Sequence, residues 1–141
     1  MKNLLLIAVF VTGLFTATAQ TTSKEGATIT VTVDKLKNNN GQVLFALYTE
    51  STFMKTDPVK ATASKIEGNK VKVTFTDVPK GEYAIICIHD ENNNGQMDFD
   101  ESRMPLEDYG TSNNPMSYGP PQFDPAKFAV GKEDVTLQII L

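Results

Sequence analysis

The chain has 141 residues, a formal charge of −4 and 40% hydrophobic residues, with no Trp, one Cys and one His. This length and hydrophobic content are typical of one folded domain with a core, and they exclude a largely disordered chain. An acidic chain without a basic patch is a poor match for nucleic acid. One His and one Cys can form neither a zinc site of the usual type nor a disulfide within the chain.

The N-terminal segment has the three parts of a secretory signal peptide. Lys2 supplies a positive charge, residues 4–15 form an apolar run, and Ala17-Thr18-Ala19 is a small-residue cleavage site. The apolar run is shorter than the ~20 residues that a membrane-spanning helix needs. We therefore expect residues 1–19 to be removed on export. A single domain over residues 20–141 then remains, without a membrane span, in the periplasm or outside the cell.

From Ala27 onward the hydrophobic period is two, which is typical of β-strands with one buried face. This period predicts strands at residues 27–33, 42–48, 59–66, 71–76 and 135–139, while residues 82–89 are apolar on both faces and predict a central strand. Asn40-Gly41, between the first two segments, has the form of a tight hairpin turn. Short strands without a convincing amphipathic helix favour an all-β fold, an antiparallel β-sandwich of about seven strands. Cys87 lies in an apolar segment, so we expect a small buried core residue rather than a reactive thiol.

A twelve-residue segment after the fifth predicted strand matches the calcium loop of EF-hand proteins. Ca²⁺ prefers about six to eight oxygen ligands, which alternate residues of a tightly wound loop can supply. Gly95 is at the sharp turn of position 6. The residues at positions 1, 3, 5, 7, 9 and 12 are Asp90, Asn92, Asn94, Gln96, Asp98 and Glu101. The sequence predicts one calcium site. Magnesium is the weaker alternative for the bound ion. The alternative without a metal is an Asn-Gly turn with solvated carboxylates.

The surroundings of this loop differ from those of an EF-hand, because a strand precedes it and Pro105 follows it where helices would stand. Among the predicted ligands only Asp90, Asp98 and Glu101 carry charge. Since fewer charged ligands weaken binding, we expect an affinity in the extracellular range, ~10⁻⁴ to 10⁻³ M. The sequence therefore predicts a long calcium-binding loop that connects β-strands rather than helices.

The connection that follows, residues 105–123, is rich in Tyr, Asn and Gly. This composition is typical of recognition surfaces, and an extracellular glycan or protein partner would contact Tyr109, Asn113, Asn114 and Tyr118. The favoured alternative is that Tyr109, Tyr118 and Phe123 hold the connection on the sandwich.

His89 precedes the predicted loop without a neighbouring nucleophile, so we expect it to hydrogen-bond the loop backbone. The acids Asp98, Asp100 and Glu101 could in principle serve glycoside hydrolysis. A chain of this size without Trp lacks the sugar-stacking aromatics for that chemistry. The sequence therefore favours a binding or structural module that is not an enzyme, with a hydrolase as the least favoured reading.

Four motifs in order cover nearly all of the chain beyond residue 20. They are Phe75-x-Asp77-Val78-Pro79-x-Gly81-x-Tyr83-Ala84, His89-Asp90-Glu91-Asn92-x-Asn94-Gly95-x-Met97-Asp98, Pro105-x-Glu107-x-Tyr109-Gly110-x-Ser112-Asn113 and Gly119-Pro120-Pro121-x-Phe123. This run resembles the bacterial secreted family called domain of unknown function 2141, although Ser102-Arg103-Met104 stands where that family has an aromatic-Gly pair. The Pro-x-Gly-x-Tyr turn also resembles transthyretin-like and carboxypeptidase-regulatory modules. The resemblance implies an exported β-sandwich and no particular activity.

Overall fold

The computed structural model describes residues 26–141, so the predicted signal peptide at residues 1–19 lies outside the described residues. The described part has eight strands and one short helix: β1 (Ala27–Asp34), β2 (Gln42–Tyr48), β3 (Lys60–Lys65), β4 (Lys70–Val78), β5 (Gly81–Asp90), β6 (Tyr109–Thr111), α1 (Phe123–Ala126), β7 (Phe128–Val130) and β8 (Val135–Ile139). One sheet has the order β4-β1-β8. The other has the order β3-β2-β5-β6, with β7 also paired to β5. The predicted all-β sandwich is confirmed.

The core lies between the two sheets and follows from the period of two in the strands. In β1 the side chains of Ile29, Val31 and Val33 are fully buried, while the intervening Thr residues are half-buried. They pack in one cluster with apolar side chains of the other sheet, among them Phe45 and Ile85. Alternation places one face of each strand in this cluster, which is where burial of apolar surface stabilises the fold.

Strand β5 is buried on both faces and is the centre of the larger sheet. Its outer face carries Ala84 and Ile86, which pack with Phe53 and with Ala126 of α1 in a second cluster. One edge of β5 pairs with β2, and the other edge is shared between β7 near its start and β6 near its end. Cys87 is buried in this strand as expected, and burial raises the pKa of its thiol to about 12.

Two expectations about strand connections are wrong. Asn40-Gly41 does not close a hairpin, because β1 pairs with β4 and β8 while β2 pairs with β3 and β5. The connection instead crosses from one sheet to the other. The arrangement is also not wholly antiparallel, since β8 runs parallel to β1. The chain reaches β8 from β7 in the opposite sheet, so no hairpin imposes an antiparallel direction.

The long connection after β5 contains three short elements that the sequence did not predict. Strands β6 and β7 have three residues each, and α1 has four. Segments this short hold too few residues for a period to be recognised, and their pairing with β5 defines them. Within residues 26–141, no helix is long and apolar enough to cross a membrane.

Candidate metal centre

The candidate site begins at Asp90, the last residue of β5, whose side chain is fully buried. The Asp90 carboxylate accepts three hydrogen bonds. The backbone N–H of Asn94 donates to Oδ1 at 3.0 Å, the N–H of Gly95 donates to Oδ2 at 2.9 Å, and Gln42 Nε2 donates to Oδ2 at 2.9 Å. The loop backbone after β5 thus curves around the Asp90 carboxylate, and Gln42 of β2 donates a further hydrogen bond to the same carboxylate.

These contacts also set the charge state of Asp90. Burial is the largest single influence and by itself would raise the pKa of the carboxyl group. Hydrogen bonds from the Gln42 side chain and from the loop backbone together outweigh it and lower the pKa below its ordinary value. The carboxylate is therefore held in its charged form, the form that binds a cation.

Three further predicted ligands meet at one point of the loop. Asn92 Nδ2 donates to Asp98 Oδ2 at 2.6 Å, and Asn94 Nδ2 lies 2.8 and 2.9 Å from the two Asp98 oxygens. The side chains at positions 3, 5 and 9 therefore converge, as the calcium-loop spacing predicts. Asn92 and Asn94 are exposed and Asp98 is half-buried, so the point of convergence is open to solvent.

Each of these two Asn side chains donates to Asp98 through its amide nitrogen and accepts from the loop backbone through its amide oxygen. Asn92 Oδ1 accepts the N–H of Asn94 at 3.1 Å, and Asn94 Oδ1 accepts the N–H of Gln96 at 3.0 Å. The amide nitrogens therefore face Asp98 while the amide oxygens face the backbone. A cation at this point would need the two amides rotated, so that oxygens replace nitrogens beside Asp98.

The other two predicted ligands are outside this network. The Gln96 side chain is exposed, which is compatible with a role for its backbone carbonyl oxygen alone. Glu101 lies in the turn of a hairpin, residues 98–106, in which the N–H of Leu106 donates to Asp98 O at 2.9 Å. The Glu101 side chain is exposed, and its carboxylate accepts no hydrogen bond from residues 26–141.

A carboxylate outside the twelve-residue pattern contacts the loop backbone at two separate positions. Glu107 is only 8% exposed, and its Oε1 and Oε2 accept the backbone N–H groups of Glu91 and Asp98 at 3.1 and 3.2 Å. The calcium-loop spacing ends before this residue and could not identify it. The only sequence signal was its place in the motif Pro105-x-Glu107.

The electrostatics of the site are dominated by carboxylates without cationic partners. Among residues 26–141 the ion pairs join Lys70 to Asp34 and Lys127 to Glu82 and Asp124, so Asp90, Asp98 and Glu107 take part in none. Within the same residues, no group of three or more His, Cys, Asp or Glu side chains is arranged to hold a metal ion. Any metal held here would therefore rely on amide and backbone oxygens as well.

His89 contacts a different backbone from the one predicted. Its Nε2 lies 2.9 Å from the carbonyl oxygen of Asn40, in the connection between β1 and β2 rather than in the loop after Asp90. A carbonyl oxygen can only accept, so Nε2 carries the proton in this arrangement. The buried Nδ1 has no hydrogen-bond partner within the described residues.

The four residues predicted to contact a glycan or protein partner differ in their surroundings. Asn113 Nδ2 donates to Lys127 O at 2.7 Å; Asn114 donates to Gln138 O at 2.9 Å and accepts from Ile140 N at 2.8 Å. These amides hold the connection against α1 and β8. The Tyr109 hydroxyl donates to Gly119 O at 3.4 Å, whereas the side chain of Tyr118 is fully exposed.

Fold and site together define an all-β sandwich with an Asp- and Asn-rich loop at the end of its central strand. Residues 31–138 match the family described as "Uncharacterized protein conserved in bacteria (DUF2141)". The match spans most of the chain, so the protein belongs to this family, as its motifs predicted. No curated protein matches the chain.

Proposed function

We propose that this protein is an exported calcium-binding β-sandwich in which one Ca²⁺ ion orders the loop after β5 and stabilises the domain. The observation that carries the proposal is the convergence of Asn92, Asn94 and Asp98 beside the buried carboxylate of Asp90. The family description names no activity, and the proposed role is structural or binding rather than enzymatic. The periplasm or the extracellular medium is the proposed location.

A divalent cation would relieve an unfavourable arrangement of charge. Asp90 and Glu107 are buried carboxylates, and Asp98 belongs to the same loop, with no Lys or Arg paired to them in residues 26–141. Buried charges are destabilising unless hydrogen bonds or a counter-charge offset them. Hydrogen bonds outweigh the burial of Asp90 and meet both oxygens of Glu107, and Ca²⁺ would add the counter-charge that the three carboxylates lack.

The proposed ligands are the side-chain oxygens of Asp90, Asn92, Asn94 and Asp98 and the carbonyl oxygen of Gln96, with water completing the shell. Binding would exchange the hydrogen bonds from both Asn amides to Asp98 for metal–oxygen contacts. That exchange reduces the net free energy gained on calcium binding, which agrees with an expected Kd of ~10⁻⁴ to 10⁻³ M. Ca²⁺ suits a flexible set of oxygens better than Mg²⁺, which demands octahedral geometry.

A calcium titration of chelator-treated protein, followed by thermal unfolding, tests the proposal. A tenfold excess of calcium over Kd should add ~1.4 kcal/mol of stability, or about 5 °C in Tm for a domain of this size. Asp98→Asn should reduce the shift, while Asp57→Asn, which removes the same charge from an exposed position, should leave it unchanged. An equal Tm with and without millimolar calcium would refute the proposal.

Exposed Tyr118 favours a second candidate, a calcium-dependent module that recognises a carbohydrate or peptide. Tyr118 and Met116 are both fully exposed, and Met116 lines a shallow groove of about 500 Å³ together with Tyr109. Glycan-array binding of the wild type against Tyr109→Ala and Tyr118→Ala, with and without calcium, tests this candidate. Glycan-array signals that are equal in the three proteins and independent of calcium would support only the structural role.

A further inference from the structure

We infer that Glu107 is the positioning residue of the calcium site: its carboxylate links the loop backbone at Glu91 to the loop backbone at Asp98 and holds Asp98 in place. The inference rests on the proposed function, and it assigns a role to a residue that the twelve-position pattern omits. Glu107 acts through Asp98 and Glu91 rather than as a ligand of the ion.

The geometry of the carboxylate carries this inference. Oε1 accepts the N–H of Glu91, the residue directly after Asp90, at 3.1 Å. Oε2 accepts the N–H of Asp98 at 3.2 Å. One side chain therefore fixes the backbone beside the first predicted ligand and the backbone of the ligand at position 9.

The chemistry of the site requires a carboxylate at this position. Each oxygen meets one N–H donor, whereas a Gln side chain offers a single acceptor oxygen and would turn its own NH₂ group toward the second donor. At 8% exposure, water can hardly satisfy the group that would then be left without a partner. Glu107→Gln therefore keeps the size of the side chain and removes one of the two links.

Neighbouring contacts place Glu107 on a rigid support. The next residue, Asp108, accepts the backbone N–H of His89 at 2.9 Å, and Tyr109 begins β6, which pairs with β5. The carboxylate is thus anchored beside the larger sheet and contacts a loop whose other side chains are largely exposed. Residues that orient metal ligands in this way commonly change metal affinity by about 10- to 100-fold when replaced.

The test compares wild type, Glu107→Gln and Glu133→Gln, the last being the same change at an exposed position outside the loop. Calcium Kd is measured by chemical-shift titration of chelator-treated protein, and stability by urea unfolding in chelator. We expect Kd to rise about tenfold or more in Glu107→Gln and to stay within about twofold in Glu133→Gln. Both variants should show native far-UV spectra.

A second measurement needs no variant. In the calcium-free wild type, the amide protons of Glu91 and Asp98 should exchange slowly with solvent, because the Glu107 carboxylate accepts both. Fast exchange at these amides overturns the inference, even if Glu107→Gln does not fold.

The outcomes separate this inference from the proposed function. A folded Glu107→Gln that binds calcium as tightly as the wild type overturns the positioning role and leaves the calcium site standing. A wild-type protein that shows no shifts at about 10 mM calcium overturns both. Lower urea stability with an unchanged Kd would assign Glu107 a purely structural role, which also contradicts the inference.

Discussion

The Asp90 carboxylate is buried where β5 ends, and its three hydrogen bonds organise the turn that follows. Because they favour the charged form, Asp90 should stabilise the folded protein only while it is ionised. A lowered folded-state pKa means that this contribution is fully present above the unfolded-state value, about 3.9, and is lost as pH falls through the folded-state value.

Asp90→Asn tests this directly in chelator. At about pH 6 the variant should be less stable than the wild type by about 1–3 kcal/mol, because the Asn NH₂ group faces a backbone donor. The difference should shrink as pH falls below the ordinary aspartate value and through the lowered folded-state pKa of Asp90. Urea unfolding across this pH range measures the stability difference between the variant and the wild type. A difference that does not vary with pH would contradict the stabilising role of ionised Asp90.

Gly41 is the residue through which the β1–β2 connection approaches the loop after β5. Its φ is +68°, and a Cβ added there would collide with the backbone carbonyl of Asp90. Gly41→Ala should therefore destabilise the protein by at least about 2 kcal/mol and weaken calcium binding.

Gly68→Ala is the matched control for this prediction. Gly68 has a similar φ of +60°, but its Cβ would have no neighbour within 4 Å. The substitution should cost about 1 kcal/mol from the backbone conformation alone. Thermal unfolding of both variants separates the cost of the steric clash from the cost of the positive φ. Equal losses of stability would argue against the close approach of Gly41 to Asp90.

At the scale of elements, the hairpin of residues 98–106 determines what Glu101 can do. It is closed by backbone hydrogen bonds between Asp100 and Met104 and between Leu106 and Asp98, each 2.9 Å long. Asp100 Oδ1 also accepts the N–H groups of Ser102 and Met104 at 2.8 and 2.9 Å. The hairpin therefore has its own internal support and keeps Glu101 in an exposed turn.

Glu101→Gln should accordingly change calcium Kd by no more than about twofold, in contrast to Asp98→Asn, which removes the charge of a proposed ligand. Calcium titrations of both variants under the same conditions give the comparison. A loss of affinity in Glu101→Gln equal to that in Asp98→Asn would show that the hairpin rearranges on binding and restores Glu101 as the ligand at position 12.

At the scale of the whole molecule, the two sheets and the long connection have different sources of stability. The sheets share an apolar core, whereas the loop after β5 depends on polar contacts around Asp90, Asp98 and Glu107. Calcium should therefore protect the loop locally without changing the secondary structure of the sheets.

Limited trypsin digestion tests this division. Cleavage after exposed Arg103 should slow by about tenfold at a tenfold excess of calcium over Kd, since only the metal-free fraction opens. Cleavage after Lys55, exposed in the connection between β2 and β3, should not change. Mass spectrometry of the fragments identifies the sites, and parallel slowing at both would indicate a global effect.

The six predicted strands all occur, because a buried face alternating with a wet one leaves a period of two in the sequence, and a strand buried on both faces leaves a short apolar run, as in β5. The convergence of Asn92, Asn94 and Asp98 was also predictable, since local spacing alone brings these residues of a tight loop together. Export of the chain stays a prediction of residues 1–19.

Only the tertiary structure decided which strands pair and which carboxylate accepts hydrogen bonds from the backbone of the loop after β5. Strands β6 and β7 exist because the free edge of β5 offers them hydrogen bonds, and β8 lies parallel to β1 because the chain crosses between sheets to reach it. Glu107 meets Glu91 and Asp98 because β6 returns along β5 and brings it back to the loop. Periodicity and motif spacing are properties of neighbouring residues, whereas these contacts join separate segments of the chain and leave no local pattern in the sequence.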